Sequence, residues 1–213
     1  MQENFVIAIS AVPGGGKTTL VKKTAGLLEA TTLFFDDYAS VSEYPKDIIQ
    51  WINDGADLNE WKTPVFAKDV AALKRGERII HPVANDTIES NEFIVIEDPI
   101  GRGRNEMTEL IDFMVLIDTP LDIALARRLL RNIEKYYRCK AEERLEKATK
   151  EELIENPIES VSKELNRYLS EYRAIYLAFQ KQMSSYCDLI LDGGLPSDEL
   201  ANQLVAAAME KRK

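Results

Sequence analysis

The chain has 213 residues, with 36 Asp and Glu against 27 Lys and Arg, giving a formal net charge of -9. That length suits a single domain over 1–213 with a real core, and 45% hydrophobic with 30% charged residues is a globular composition rather than a disordered one. The surplus of acid repels long polyanions, so nucleic acid and anionic membrane surfaces are not expected partners. A small phosphorylated ligand answers to local charge and stays open.

The first apolar run, Phe5-Val6-Ile7-Ala8-Ile9, follows no basic stretch and is far too short to span a bilayer, so a cytoplasmic protein is expected. In chain order the strand candidates are Phe5–Ser10, Thr32–Phe35, Phe93–Ile96, Phe113–Ile117 and Leu189–Leu191. Each is rich in β-branched or aromatic residues with little polar alternation, the pattern of strands buried on both faces of a parallel sheet. Helical spacing marks Lys17–Glu29, Lys46–Asn53, Val65–Arg75, Leu121–Tyr137 and Ser197–Glu210. This βαβα order predicts a parallel sheet of about five strands with helices on both sides.

Residues 138–186 break the alternation. Lys140–Glu155 is highly charged, and Ile158–Met183 reads as one long helix with Pro157 at its start. Leu165, Leu169, Tyr172, Ile175, Tyr176 and Phe179 give that helix one apolar stripe. A helical lid at about 122–186 is therefore expected within the single domain. Cys139 and Cys187 are too few and too far apart for a disulfide framework or a zinc site, and fit thiols in a reducing compartment. The single histidine, His81, excludes a histidine metal cluster, and followed by Pro82 it reads as structural rather than catalytic.

The segment Ala11-Val12-Pro13-Gly14-Gly15-Gly16-Lys17-Thr18 lies between a predicted strand and a predicted helix. It matches G-x-x-x-x-G-K-[ST] with Ala11 in place of the first glycine. Glycines let successive backbone N–H groups turn toward an oxyanion, and the helix N-terminus adds its positive end. Pro13, Gly14, Gly15, Gly16, Lys17, Thr18 and Thr19 are therefore candidate contacts to ATP. In this pattern Lys17 reaches the β- and γ-phosphates and the Thr18 hydroxyl ligates Mg²⁺. The fold expected around such a loop is the three-layer α/β P-loop NTPase fold.

Acids at the ends of buried strands supply the remaining chemistry. Glu97 and Asp98 end the run Phe93–Ile96 and are candidate Mg²⁺ ligands. Asp98-Pro99-Ile100-Gly101 also fits the D-x-x-G of GTPases, but the chain has no N-K-x-D, which disfavours a G-protein. Asp36 and Asp37 follow the second strand, and a phosphoryl acceptor needs its hydroxyl aligned and deprotonated by a carboxylate near the loop. Asp36 is the first candidate for base or Mg²⁺ partner and Asp37 the next.

These motifs, in this order, resemble the uridine kinase and phosphoribulokinase group of P-loop small-molecule kinases. Asp36-Asp37-Tyr38 looks like the family's Asp-x-Phe-Tyr segment, and Leu73-Lys74-Arg75-Gly76 leading to His81-Pro82-Val83 like its Leu-x-x-Gly turn and Pro-x segment. Glu97-Asp98 resembles its Glu-Gly strand end, Asp118-Thr119-Pro120 its Asp-Thr-Asp, and Cys187-Asp188-Leu189-Ile190-Leu191 its closing strand. The resemblance implies ATP and Mg²⁺ as cofactors and substrate contacts at Asp37, Tyr38, Glu97 and Arg102. Where uridine kinases carry Tyr-Asp, this chain has Ala84-Asn85, which leaves the acceptor's identity open. Tyr44, Trp51 and Trp61 fall where the family builds its acceptor pocket, and both ring stacking and core packing stay open for them.

The family's Arg-rich lid looks like Arg127, Arg128 and Arg131. Arg127 and Arg131 are i and i+4 on one helix, so their guanidinium forks share a face suited to the charge of a transferring phosphoryl group. Within 127–144 seven basic residues (Arg127, Arg128, Arg131, Lys135, Arg138, Lys140 and Arg144) stand against three acids. Arg102 and Arg104, set between and after glycines, either close over a ligand or form a plain turn.

The expected activity is ATP-dependent phosphorylation of a hydroxyl on a small, nucleoside-like metabolite. Lys17, Asp36, Arg127 and Arg131 would be catalytic, Arg128 would touch the nucleotide, and Thr18, Asp36, Glu97 and Asp98 are candidates to hold Mg²⁺. The expected partner is that small-molecule phosphate acceptor, and a homo-oligomer is left open. Two alternatives stand beside it: a nucleotide-binding ATPase or regulatory module without an acceptor, and a nucleoside monophosphate kinase using Arg102 and Arg104.

Overall fold

Five of the apolar runs pair side by side as a parallel sheet. The computed structural model describes residues 3–145 and 157–213, the side chains of 139–145 and Pro157 excepted. In chain order the elements are β1 (Phe5–Ser10), α1 (Lys17–Leu28), β2 (Thr31–Phe34), α2 (Ile48–Asn53) and α3 (Pro64–Lys74). A two-residue-per-strand hairpin follows, β3 (Ile79–Ile80) and β4 (Thr87–Ile88), then β5 (Phe93–Glu97), α4 (Asn105–Thr108) and β6 (Phe113–Asp118). Three helices follow, α5 (Leu121–Leu145), α6 (Pro157–Arg167) and α7 (Arg173–Met183), and β7 (Leu189–Asp192) and α8 (Ser197–Lys211) close the chain.

The sheet order is β2-β5-β1-β6-β7, with every pairing parallel. The strand period of two divides the core between the layers. Val6, Ala8, Ile94, Ile96, Met114 and Leu116 face one layer with Phe66, Val70 and Leu73 of α3. Ile7, Ile9, Val95, Val115 and Ile117 face the other with Leu20 and Val21 of α1 and Leu200 and Leu204 of α8. This is the three-layer α/β architecture that the alternating pattern predicts. It places the C-terminal ends of β1, β2, β5, β6 and β7 along one edge, the edge where ligands of such sheets bind.

Local signals set the element ends. Asp47 caps α2 by accepting from the N–H groups of Ile49 and Gln50, both at 2.9 Å, and Pro64 opens α3 at its first position. Gly76, with φ +81°, ends α3 in the left-handed conformation.

The predicted long helix at 158–183 is a continuous coil of α6 and α7 joined by a π turn at Tyr168–Tyr172. The π turn changes which residue faces inward: Tyr168 is 6% exposed, whereas Leu169, assigned to the apolar stripe by spacing, is 74% exposed. The charged stretch 140–155, with Lys140 and Arg144, has no described side chains.

Phe66 is fully buried and meets Tyr38 and Phe35 edge-on at centroid distances of 4.9 and 5.9 Å. Phe66→Ala is expected to lower unfolding free energy by about 3–5 kcal/mol in urea denaturation, as a cavity left beside the Tyr38 and Phe35 rings cannot collapse.

Candidate active site

The turn from β1 into α1 is shaped by glycine. Gly14 and Gly16 hold φ of +85° and +97°, conformations in which a Cβ is strained. A Cβ on Gly14 would run into the carbonyl oxygen of Ala124, and one on Gly15 would lie 2.6 Å from the Ala11 Cβ. The Gly15 N–H donates to the Val12 carbonyl at 2.9 Å, which closes the turn.

Lys17 curls back so that its Nζ donates to the Ala11 carbonyl at 3.0 Å and stands 4.0 Å from Glu97 Oε1. Burial pushes the Lys17 ammonium below the ordinary lysine range. The charges of Glu97, Asp36 and Asp98 oppose that shift, and Arg131 adds to it. The Thr18 hydroxyl donates to Glu97 Oε2 at 2.6 Å. The loop thus meets the end of β5 and helix α5, with the charge of Asp36 felt at Lys17.

Asp36 is exposed on the short 3-10 turn Phe35–Val41 that follows β2. Its neighbour Asp37 is engaged elsewhere. His81 Nδ1 accepts from the backbone N–H groups of Val83 (3.2 Å) and Ala84 (3.0 Å), which puts the ring proton on Nε2, 3.1 Å from Asp37 Oδ2. His81 is therefore a strut between the β3–β4 hairpin and the turn after β2, in agreement with a structural histidine.

Four candidates stand apart from the cleft or are saturated by protein partners. Tyr38, expected at the substrate, is fully buried, and its hydroxyl donates to Asp69 Oδ2 at 2.9 Å. Asp98, expected at the metal, is fully buried. Its Oδ1 accepts from the N–H groups of Ile100 (3.0 Å) and Gly101 (2.9 Å), and its Oδ2 pairs with Arg104 Nη2. Of the two acids ending β5, only Glu97 meets the loop. Arg102, expected at the substrate, reaches the opposite edge of the sheet. There it pairs with Asp188 at 2.7 Å and donates to the Ile111 and Asp112 carbonyls beside the starts of β6 and β7. Arg104 is 1% exposed, enclosed by Asp98, Thr63 and the Phe35 ring.

The lid arginines divide as well. Arg128, expected at the nucleotide, pairs with Glu164 of α6 at 2.7 Å, and its Nη1 donates to the Tyr176 hydroxyl at 2.9 Å. Its guanidinium also lies over the Tyr176 and Tyr172 rings. Arg127 and Arg131 are exposed. Arg127 donates to the Gly193 carbonyl at 3.4 Å and lines a cavity of about 410 Å³ between Gly15, Gly16 and Thr19 on one side and Gly193–Ser197 on the other. The Gly193-Gly194-Leu195-Pro196 turn at this cavity was not foreseen. Its signal was a Gly-Gly turn following a predicted strand at the ligand edge.

Tyr44 and Trp61 meet edge-on at 5.1 Å, and Trp51 is buried with its indole N–H donated to the Asp57 carbonyl. Trp51 is thus core. Cys187 is half-buried, and burial pushes its thiol up to about 12, so it is inert at neutral pH.

No family model matches the chain. Curated proteins named uridine kinase do match it at modest identity. One from Borrelia duttonii (strain Ly) is 29% identical over 206 residues, spanning 91% of this chain and 89% of its own length. Another, from Clostridium botulinum (strain Langeland / NCTC 10281 / Type F), is 23% identical over 227 residues, spanning 97% and 96%. A solved structure from Silicibacter sp. TM1040, described as a fructose transport system kinase, superposes with a TM-score of 0.52 at 17% identity. It covers 89% of this chain and 90% of its own. The chain therefore has the fold of P-loop kinases, and its relatives mark it as an ATP-dependent small-molecule kinase. Among the described residues no helix of this kinase is long and apolar enough to cross a membrane.

Removing the Tyr38 hydroxyl separates core from substrate roles. Tyr38→Phe is expected to cost about 1 kcal/mol of stability in urea denaturation. It should leave the acceptor KM unchanged in steady-state kinetics.

Proposed function

We propose that this kinase transfers the γ-phosphoryl group of ATP to a hydroxyl of a small, nucleoside-like metabolite. The observation that carries the proposal is the meeting of Lys17, Thr18, Glu97 and Asp36 at the mouth of the glycine loop. The names of the curated relatives support the substrate class.

The loop amides and Lys17 would bind the phosphates, with Lys17 exchanging its bond to the Ala11 carbonyl for phosphate oxygens. The low-dielectric setting that makes the bare ammonium unfavourable makes its pairing with an anion correspondingly strong. The cavity between Gly16, Thr19 and the Gly193–Ser197 turn would take the purine, its apolar walls supplied by Leu20, Leu195 and Pro196.

A magnesium ion fits the donor set. The Thr18 hydroxyl and the Glu97 carboxylate are hard oxygens already 2.6 Å apart beside the loop, and Asp36 would add a third. A site of few protein oxygens completed by phosphate and water is how Mg²⁺ is ordinarily held. When bound, the ion would neutralise charge on the phosphate oxygens. Asp36, exposed toward the cleft and free of the His81 strut that holds Asp37, would accept the proton of the acceptor hydroxyl. Arg127 and Arg131 would close over the transferring group from the lid.

Arg102 and Arg104 carry the case for a nucleoside monophosphate acceptor. With one paired to Asp188 at the far edge and the other buried against Asp98, neither is available to a second phosphate. This favours an acceptor without one.

The decisive experiment is transfer of labelled phosphate from ATP across a panel of nucleosides, nucleoside monophosphates, vitamins and sugar phosphates. A nucleoside-type product is expected. Asp36→Asn should lower kcat by about 10²–10⁴-fold while leaving ATP affinity intact, and Lys17→Ala should abolish turnover. Full phosphotransfer by Lys17→Ala would refute the mechanism. Slow hydrolysis of ATP with no product from any acceptor would identify an ATPase module instead.

A further inference from the structure

Thr119, the residue directly after β6, is fully buried, and its hydroxyl donates to the Gly15 carbonyl at 2.9 Å. Neither the loop motif nor the kinase reading gives it a task. We propose that the Thr119 hydroxyl is a positioning group for the phosphate loop: it fixes the Gly15–Gly16 peptide plane so that the Gly16 N–H points into the loop, toward the nucleotide phosphates.

A trans peptide is planar, so the carbonyl of Gly15 and the N–H of Gly16 point to opposite sides of one rigid unit. Fixing the carbonyl against β6 aims the N–H the other way, into the concave side of the loop. The glycines on both sides of this peptide make the device necessary. Rotation of the unit changes only ψ of Gly15 and φ of Gly16, and glycine crosses those regions at little cost. Gly16 already sits at φ +97°. The loop needs these glycines for close approach to an oxyanion, and for the same reason cannot hold their peptide unaided.

Thr119 is itself held so that its hydroxyl cannot turn away. Its N–H donates to the Ile117 carbonyl at 3.1 Å. Its own carbonyl accepts at 3.1 Å from the Gln180 side chain of α7, which also donates to Asp118 Oδ1 at 3.0 Å. Across from it, the Gly193 backbone packs so closely that a Cβ there would overlap the Thr119 Oγ1. One buried hydroxyl thus touches the phosphate loop and the turn lining the cavity, and its backbone is tied to the returning lid helix. This role rests on the phosphate-binding reading of the loop, since the aimed N–H matters only to an anion.

The test compares wild type with Thr119→Ala, Thr119→Val and Thr119→Ser, each checked by thermal melting. ATP binding would be followed by calorimetry, and KM for ATP and for acceptor by steady-state assay. Loss of the hydroxyl in the Ala and Val variants is expected to weaken ATP binding about tenfold, with the acceptor KM unmoved, and Thr119→Ser to recover to within about twofold. A purely structural role would lower the melting temperature while leaving the ATP KM of the folded fraction as in wild type, and that result would overturn the proposal. So would a Thr119→Ser protein no better than Thr119→Ala. Wild type that fails to bind ATP would overturn the phosphate-loop reading along with it. Normal wild-type binding with an unaffected Thr119→Ala would overturn the positioning role alone.

Discussion

A loop that offers its backbone N–H groups to an anion cannot use those groups to hold itself together, and the residue that permits the close approach, glycine, brings no side chain to help. The turn Ala11–Thr18 therefore depends on its surroundings for shape. Within it the Gly15 N–H closes on Val12, and Lys17 ties back to Ala11. From outside, Thr119 holds the Gly15 carbonyl, Glu97 holds the Thr18 hydroxyl, and α5 packs so closely on Gly14 that no larger residue fits. The parallel sheet is what supplies these props: β5 and β6 flank β1 on either side, so the residues at their C-terminal ends fall beside the loop.

The same constraint explains how charge is distributed in a chain whose net value is -9. Carboxylates and guanidiniums away from the cleft neutralise one another in place. Arg104 with Asp98 is buried beneath the Phe35 ring, Arg102 with Asp188 staples the far edge, and Lys74 pairs with Asp112 at 2.8 Å near the start of β6. A buried pair of this kind adds little net stability but is costly to break, which favours one arrangement of the chain over others. Charges left exposed at the cleft, Asp36 on one side and Arg127 and Arg131 on the other, are the ones available to a ligand. Total charge thus says nothing about the polarity of the site.

Much of this was legible in the sequence, and the divide follows the range of the interactions. Runs such as Phe93–Ile96 and Phe113–Ile117 announce buried strands because both faces of a covered parallel sheet are apolar, and the structure extends each by only the following acid. The glycine loop is equally clear, since its chemistry is contained in eight consecutive residues. Adjacent residues with one chemistry but different surroundings were not separable. Glu97 and Asp98 are both acids ending β5, yet alternation sends one to the loop and the other into the layer below, where Arg104 waits. Tyr38 beside Asp37, and Arg102, failed for the same reason: a polar tip looks functional until its buried partner is known. Tyr168 and Leu169 were exchanged by a single π turn, which helical spacing cannot register. Thr119 was invisible because its partner, the Gly15 carbonyl, lies 104 residues away.

The arginines of α5 are likewise separated by the face each occupies and the neighbour it meets. On a helix, successive residues turn by about 100° and residues four apart realign. Arg127 and Arg131 therefore share the face turned to the cleft, and Arg128 between them in sequence is swung toward α6 and α7, where Glu164 and Tyr176 receive it. Three chemically identical residues serve two purposes on that account. Arg128 binds α5 to α6 and α7 through an ion pair and two aromatic rings, and Arg127 and Arg131 are left exposed. Gln180 then fastens the returning helix to the carbonyl of Thr119 and to Asp118. The helical segment that returns from Arg127 and Arg131 is thus tied, through Gln180, to the same strand end whose Thr119 hydroxyl holds the Gly15 carbonyl.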